Sequence, residues 1–354
     1  MSRRGPSTRA VHAGRPPAEQ GAPLGPPVVL AAPYHLAGDA DASPYGYGRY
    51  ANPTWTALEA ALGELEGGRA LSFASGMAAI AAVLAACVAP GQAVVIPADG
   101  YAGIRALELP GVEVRAVPTD TAAITAAAAG AALVFVETPS NPLLELADIA
   151  AVAEAARAAG ALLAVDNTVA TPLGQRPLAL GADVSVSAGT KALAGHSDVL
   201  LGSVAVRDDD EALYERVLAI RSRTGAVPGP FEAWLVHRSL ATLGLRLERM
   251  SGNACALAEA LRARDDVAQI WHPGPISGPL VTFDLGTQAR AEAFLGACEL
   301  VAEATSFGGV HSTAERRARW GTDAVGPGVV RLSAGIEDPA DLLADVLGAL
   351  DATR

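Results

Sequence analysis

The stretch that decides the fold is GADVSVSAGTKALAGHSDVLLG, residues 181–202. It begins as a short strand-like run, DVSVSAG, and then delivers Lys191. Of the 26 Lys+Arg in the 354 residues, Lys191 is the one lysine and all the others are arginine. At neutral pH a lysine can do what an arginine cannot: lose its proton and attack a carbonyl as a free amine. A chain that uses arginine for every other basic side chain has reason to keep lysine where that chemistry is needed.

An amine of that kind suggests imine formation with pyridoxal phosphate. The cofactor would need an acid for its ring nitrogen, a phosphate cradle and an aromatic partner. Asp166 ends the apolar run ALLAVD, and the carboxyl end of a strand is where open α/β sheets place ligand contacts. Ser75-Gly76-Met77 opens the apolar helix GMAAIAAVLAAC, whose first amides are free to bind phosphate. Tyr101, just past the run AVVIP, can stack on a ring. Taken singly these are also a turn cap, an ordinary helix start and a loop tyrosine.

Outward from this stretch the chain alternates short apolar runs (AVVIP, VEVRAVP, ALVFVETP, ALLAVDN, DVSVSAG) with helical segments such as DIAAVAEAARAAG. Strands without polar alternation, separated by helices, suggest an α/β fold with a mostly parallel sheet flanked by helices. A smaller C-terminal α+β part follows, with GPLVTFDL and GVVRLSAG as strands. The expected division is an extended arm over residues 1–45, a cofactor-binding domain over 46–225 and a C-terminal domain over 226–354.

The bulk composition excludes other classes. The chain is 51% hydrophobic and 18% charged, which is globular rather than disordered. A net charge of −12 argues against nucleic acid and anionic membrane surfaces. Cys87, Cys255 and Cys298 lie far apart with no metal-ligand spacing, so no metal is expected and a cytoplasmic, reducing compartment is. The N-terminal segment lacks the apolar core of a secretory signal. GYGRYA fits the glycine spacing of a nicotinamide fingerprint, but no strand precedes it. GHSD sets His196, Ser197 and Asp198 side by side, where consecutive side chains cannot form a hydrolase triad. A non-catalytic cofactor-binding scaffold is the remaining rival.

The motifs STRAVHAG, YGRYANPTWTALEAALGELEGG, FASGMAAI, ETPSNPLLELADI, VDNTVATPLGQRPLALGADVSVSAGTKALAGHSD, SFGG and VVRLSAGIEDPADLLADV together cover nearly the whole chain. They resemble the Cys/Met-metabolism family of fold-type-I pyridoxal-phosphate enzymes. The resemblance implies that Lys191 is the imine-forming lysine and Asp166 the ring-nitrogen partner. Gly76 and Met77 would bind the phosphate, with the Thr190 hydroxyl, and Tyr101 would stack on the ring. Tyr47 and Arg49 would reach the phosphate of a neighbouring subunit within a homotetramer built from active dimers. Asn141 would sit beside the ring hydroxyl and the substrate, and Arg331 would bind the substrate α-carboxylate near Ser306. The implied activity is γ-elimination from a sulfur-containing amino acid, as in cystathionine γ-lyase. γ-Replacement on an O-acylhomoserine, or methionine γ-elimination, is the alternative. Three departures stand out. Ala188 replaces a serine three residues before the lysine, which leaves Ser187 as a substitute phosphate ligand. His311 replaces a glutamate that helps set substrate choice. The interval from Ser306 to Arg331 is short.

Overall fold

The computed structural model describes residues 4–39 and 42–354. Helices α1 (Pro6–His12) and α2 (Pro53–Glu66) lead into the alternating region. That region runs β1 (Arg69–Phe73), α3 (Gly76–Cys87), β2 (Ala93–Pro97), α4 (Ala102–Arg105), β3 (Glu113–Val117), α5 (Thr121–Ala127), β4 (Ala131–Glu137), α6 (Ile149–Ala159), β5 (Leu162–Asp166), α7 (Thr171–Gly174), β6 (Val184–Ala188), β7 (Gly202–Val206) and α8 (Glu211–Thr224). The C-terminal part holds α9 (Pro230–Leu240), α10 (Leu243–Arg262), β8 (Gln269–Trp271), β9 (Leu280–Asp284), α11 (Gln288–Ala297), β10 (Ala302–Glu303), β11 (Thr313–Arg316), β12 (Val329–Ser333) and α12 (Pro339–Ala352).

Local chemistry explains the boundaries. Asn52 caps α2 by accepting from the Thr54 amide, and Gly67 ends it in the left-handed region at φ 84. Asp148 caps α6 through the amides of Ala150 and Ala151, and Gly160 closes it at φ 70. The central strands are buried on both faces, with every residue of β2 buried and four of the five in β5, while the edge strand β3 is largely exposed. Runs of Val, Leu, Ile and Ala suit the central positions because neither face there meets water.

The seven-stranded sheet has the order β1-β7-β6-β5-β4-β2-β3. Strand β7 is antiparallel to both β1 and β6, and the pairs from β6 to β3 are parallel. The expected mostly parallel α/β sheet is therefore present. The chain runs from β2 outward to β3 and then returns to β4 on the other side of β2. This reversal opens a crevice beyond the carboxyl ends of β2 and β4, the place where doubly wound sheets bind ligands. The second sheet, β10-β11-β12-β9-β8, is antiparallel except for the β10–β11 pair. Its core packs Phe283 and Phe294 against Leu257, Leu332 and Val346.

The N-terminal segment differs from the expected extended arm. Residues 6–12 form α1, with Pro6 in its first turn, where its fixed φ fits the helix and its missing N–H costs nothing. Ala10 and Ala13 bury themselves in the cluster that includes Leu58, Leu62 and Leu243. The chain beyond is extended but tied to its own protomer. Val29 donates to Thr54 Oγ1 at 2.9 Å, and the Trp234 indole donates to Pro26 O at 3.0 Å. Residues 1–3 and 40–41 of the expected arm lie outside the described residues. The boundary expected near residue 226 follows the end of α8. Beyond it, α9 still packs with α2, and the second core begins at Ala254 within α10.

Candidate active site

The sheet topology lines up three chain reversals on one edge. Glu137 ends β4 and Asp166 ends β5, and the two are register partners in adjacent parallel strands. Ala188 ends β6, and the turn after it carries Thr190 and Lys191. Together with the start of α3 and part of the C-terminal sheet, these residues enclose a cavity of about 500 Å³. Lys191, Asp166, Tyr101, Gly76, Met77, Thr190, Asn141, Ser306 and Arg331 all line it. Residues scattered from 76 to 331 in sequence are thereby brought to one site.

Lys191 donates from Nζ to Ser306 Oγ at 2.7 Å. Burial, followed by the charge of Arg331, pulls its pKa down to about 8. A useful fraction of free amine is then present at neutral pH. Ser306 holds a left-handed backbone at φ 78, a conformation costly for a side-chain-bearing residue and typical of functional sites.

Asp166 accepts from both the amide and the hydroxyl of Thr168, at 2.9 and 2.5 Å. Burial raises its pKa, while the Thr168 bonds and then Lys191 oppose that rise. Glu137 is held well above the ordinary range, first by burial and then by the charge of Asp166. Two adjacent buried carboxyls resist carrying two charges, which pushes the Glu137 pKa upward. It also accepts from the backbone amide of Tyr101, bridging the crevice between β4 and β2. That bond anchors the turn presenting Tyr101, whose side chain is partly exposed at the cavity.

At the start of α3, Ser75 caps the helix by accepting from the Ala78 amide at 3.1 Å. A Cβ placed on Gly76 would lie 2.7 Å from Ala188 Cβ, so only glycine allows β6 and α3 this close. Thr190 Oγ1 donates to Leu201 O at 3.2 Å and accepts from the Leu201 amide at 3.0 Å. At the opposite end, Arg331 donates from Nη1 to Asn141 Oδ1 at 2.6 Å and from Nη2 to Ser306 O at 2.9 Å. Its Nε is buried with no protein partner.

Four expected site residues lie elsewhere. Ser187 is buried on β6, but successive strand residues face opposite sides, and Ala188 takes the cavity side. Ser187 Oγ therefore cannot replace the missing serine hydroxyl; it has no hydrogen-bond partner in the protein. His311 is exposed and outside the cavity lining, in the turn just before β11. Tyr47 and Arg49 are also outside this protomer's cavity lining. Arg49 donates to Ser222 O at 2.5 Å and stacks on Tyr50, 4.5 Å from the ring centroid.

The cavity also holds residues that sequence reasoning passed over: Glu137, Thr168, Phe307, Arg317 and Trp320. Glu137 had a visible signal, because ALVFVE ends in a carboxylate just as ALLAVD does. The others depend on turns and pairings that no local pattern reports.

A sequence model of the Cys/Met metabolism PLP-dependent enzymes matches residues 7–351. The chain belongs to this family. Like other Cys/Met metabolism PLP-dependent enzymes, it uses pyridoxal phosphate, and its cavity fits that group. There is an amine of lowered pKa, a buried carboxylate, a helix N-terminus held close by glycine, and an unpartnered buried guanidinium N–H. Among relatives of this family member, a Streptomyces coelicolor protein with a provisional cystathionine gamma-lyase name is 52% identical, the match covering 99% of this chain and 94% of that protein. A cystathionine gamma-synthase of Mycobacterium tuberculosis is 39% identical over 98% and 97% of the two chains. The apo structure of CalE6 from Micromonospora echinospora, described as a methionine gamma lyase, superposes with a TM-score of 0.89. It is 42% identical, with 99% and 100% of the two chains covered.

No helix among the described residues is long and apolar enough to cross a membrane. No group of three or more His, Cys, Asp and Glu among them could hold a metal ion.

Proposed function

We propose that this enzyme performs γ-elimination on a sulfur-containing amino acid of the cystathionine type, releasing a thiol, a 2-oxo acid and ammonia. The observation that carries this reading is the span between Arg331 and Lys191. A buried guanidinium with a free N–H sits at one end, and a titratable amine is held beside it through Ser306.

Arg331 binds the substrate α-carboxylate by charge-assisted hydrogen bonding from the guanidinium N–H groups that its protein partners leave free. Lys191 would bond the cofactor covalently, and its free amine would take the proton from Cα, release it, and only then take one from Cβ. Asp166 would hold the proton on the cofactor's ring nitrogen. Pyridoxal phosphate, when bound, supplies the electron sink for the charge left on the substrate carbons. The free amides of Gly76 and Met77, at the N-terminus of α3, hold the phosphate. Tyr101, at the cavity, would stack on the cofactor's ring and give a proton to the departing sulfur. Asn141 fixes Arg331 and contacts the substrate.

γ-Replacement on an O-acylhomoserine is the second reading, favoured by the 39% identity to a named synthase. The quaternary proposal is a homotetramer of active dimers, in which Tyr47 and Arg49 serve the neighbouring subunit. Its support is that both stand outside their own protomer's cavity lining and that Tyr47 is exposed. A cytoplasmic location is supported by three widely separated free cysteines.

A substrate panel decides the reaction: cystathionine, methionine, homocysteine, and O-acetyl- and O-succinylhomoserine with and without cysteine. Production of 2-oxo acid from the thioethers supports elimination. A thioether formed from an O-acylhomoserine plus cysteine, without 2-oxo acid, supports replacement. Lys191→Ala is expected to abolish both turnover and the cofactor's covalent attachment, the latter read from near-ultraviolet absorbance that stays with the denatured protein after borohydride reduction. Normal turnover by that variant would remove Lys191 from the scheme.

A further inference from the structure

A buried carboxylate stands directly opposite Arg331, and the reading above does not use it. Glu315 on β11 is the register partner of Arg331 on β12. Opposed residues of antiparallel strands leave the same face of a sheet, so their side chains meet. Glu315 is 1% exposed and serves four donors. They are Arg331 Nη2 at 2.7 Å, Trp320 Nε1 at 2.9 Å, Thr305 Oγ1 at 3.2 Å and Arg317 Nη1. Asp323 holds the other edge of Arg317, accepting from Nε at 2.9 Å and Nη2 at 2.6 Å. Burial acts to raise the Glu315 pKa, but Arg331, the Trp320 N–H and Arg317 outweigh it and keep the carboxyl below its ordinary range. Two guanidiniums thus share one buried anion. Without it they would stand as like charges out of water, which is strongly unfavourable.

The donors of Arg331 divide in an informative way. Nη2 is committed to Ser306 O and Glu315, and Nη1 to Asn141. Nε alone has no protein partner. The committed donors fix the plane of the guanidinium, and Nε–H and the second N–H of Nη1 are left for a ligand. We infer that Glu315 is a positioning residue that presets Arg331 for the substrate α-carboxylate. Its second oxygen holds Trp320 on the cavity wall, tying the carboxylate end of the site to that wall. The short interval between Ser306 and Arg331 supplies the parts: β11 brings Glu315, and the tight turn Arg317–Trp320 brings both of its other large donors.

This inference rests on the α-carboxylate role proposed for Arg331, so Arg331→Gln is measured alongside. The test uses the holoenzyme of Glu315→Ala and of the charge-balanced double variant Glu315→Ala/Arg317→Leu. Glycine, an amino acid with no γ-substituent, is titrated while the bound cofactor's absorbance is followed. KM and kcat are measured on the best substrate of the panel. Both single variants are expected to raise KM and the glycine Kd at least tenfold, with kcat within about threefold for Glu315→Ala. The double variant is expected to stay raised, because Arg331 has still lost its anchor. Glu315→Ala constants within twofold of the parent would overturn the inference. So would a double variant that returns to parent values, since Glu315 would then serve only to neutralise Arg317. If Glu315→Ala does not fold, the double variant decides alone. Parent-like constants in Arg331→Gln would instead remove the α-carboxylate reading itself.

Discussion

At the scale of single residues, Lys191 and Ala188 lead to separate measurements. Lys191 has its pKa lowered to about 8, first by burial and then by Arg331. The reactive form is the neutral amine. The rate at which the apo protein captures pyridoxal phosphate should therefore rise about tenfold per pH unit below that value and level off above it. Stopped-flow absorbance from pH 6 to 10 checks this; a flat profile would mean the amine is not the rate-setting group. Ala188 lines the cavity beside Gly76, where the family pattern has serine. Ala188→Ser restores a hydroxyl facing the phosphate cradle. One hydrogen bond to a charged group contributes about 1.5–3 kcal/mol, so cofactor affinity should tighten by roughly tenfold or more in equilibrium titration. A weaker affinity would show that the close approach of β6 to α3 leaves no room. Lys191, Asp166, Tyr101, Asn141 and Arg331 were legible because chain composition, strand ends and motif order mark them. Ser187 was misread because adjacency in sequence is not adjacency in space on a strand: one residue further along, the side chain faces the other way.

Elements carry the next level of argument. Helix α3 has two tasks, since its first turn offers amides to the cavity while its apolar body packs under the sheet. Ser75 serves both by capping the turn. Ser75→Ala should cost about 1 kcal/mol of unfolding stability, the usual worth of such a cap, and should also weaken cofactor binding. Chemical denaturation of the apo protein measures the first effect separately from cofactor titration. Full stability in the variant would mean that the packing of α3, not its cap, sets its start. The alternating α/β order was readable from unbroken apolar runs between helical segments. Helix α1 was not, because the surrounding Pro and Gly masked a turn of helix that its contacts with α2 and α10 stabilise. Glu315 and Trp320 were beyond reach for a different reason. Their placement depends on the β11–β12 register, a pairing across the long connection 317–328, which no local periodicity encodes.

The whole molecule poses the question of shared sites. If Tyr47 and Arg49 complete the partner's cavity, an active centre is built from two chains and single-site lesions can complement. Arg49→Ala and Lys191→Ala should each be nearly inactive alone. Co-expressed in equal amounts, half the dimers are mixed, and one site in each mixed dimer draws an intact lysine from one chain and an intact arginine from the other. Recovery of about a quarter of parental activity is therefore expected. Absence of recovery in dimers shown to be mixed would confine both residues to their own protomer.

Lys191 has a further consequence that concerns handling rather than catalysis. Apart from the histidines, every other basic side chain is a guanidinium, so the folded exterior presents no further ε-amine to acylating or aldehyde reagents. Among amines, such reagents can meet only the chain's terminal one and that of Lys191. With pyridoxal phosphate reductively fixed to Lys191, the second of these is closed. The uptake of an amine-directed probe by an unfixed sample, less the uptake by a fixed one, then counts vacant catalytic centres directly. Common laboratory lysine chemistry becomes a stoichiometric titrant for this enzyme, and glutaraldehyde-type crosslinking, which relies on surface lysines, becomes a poor reporter of its assembly.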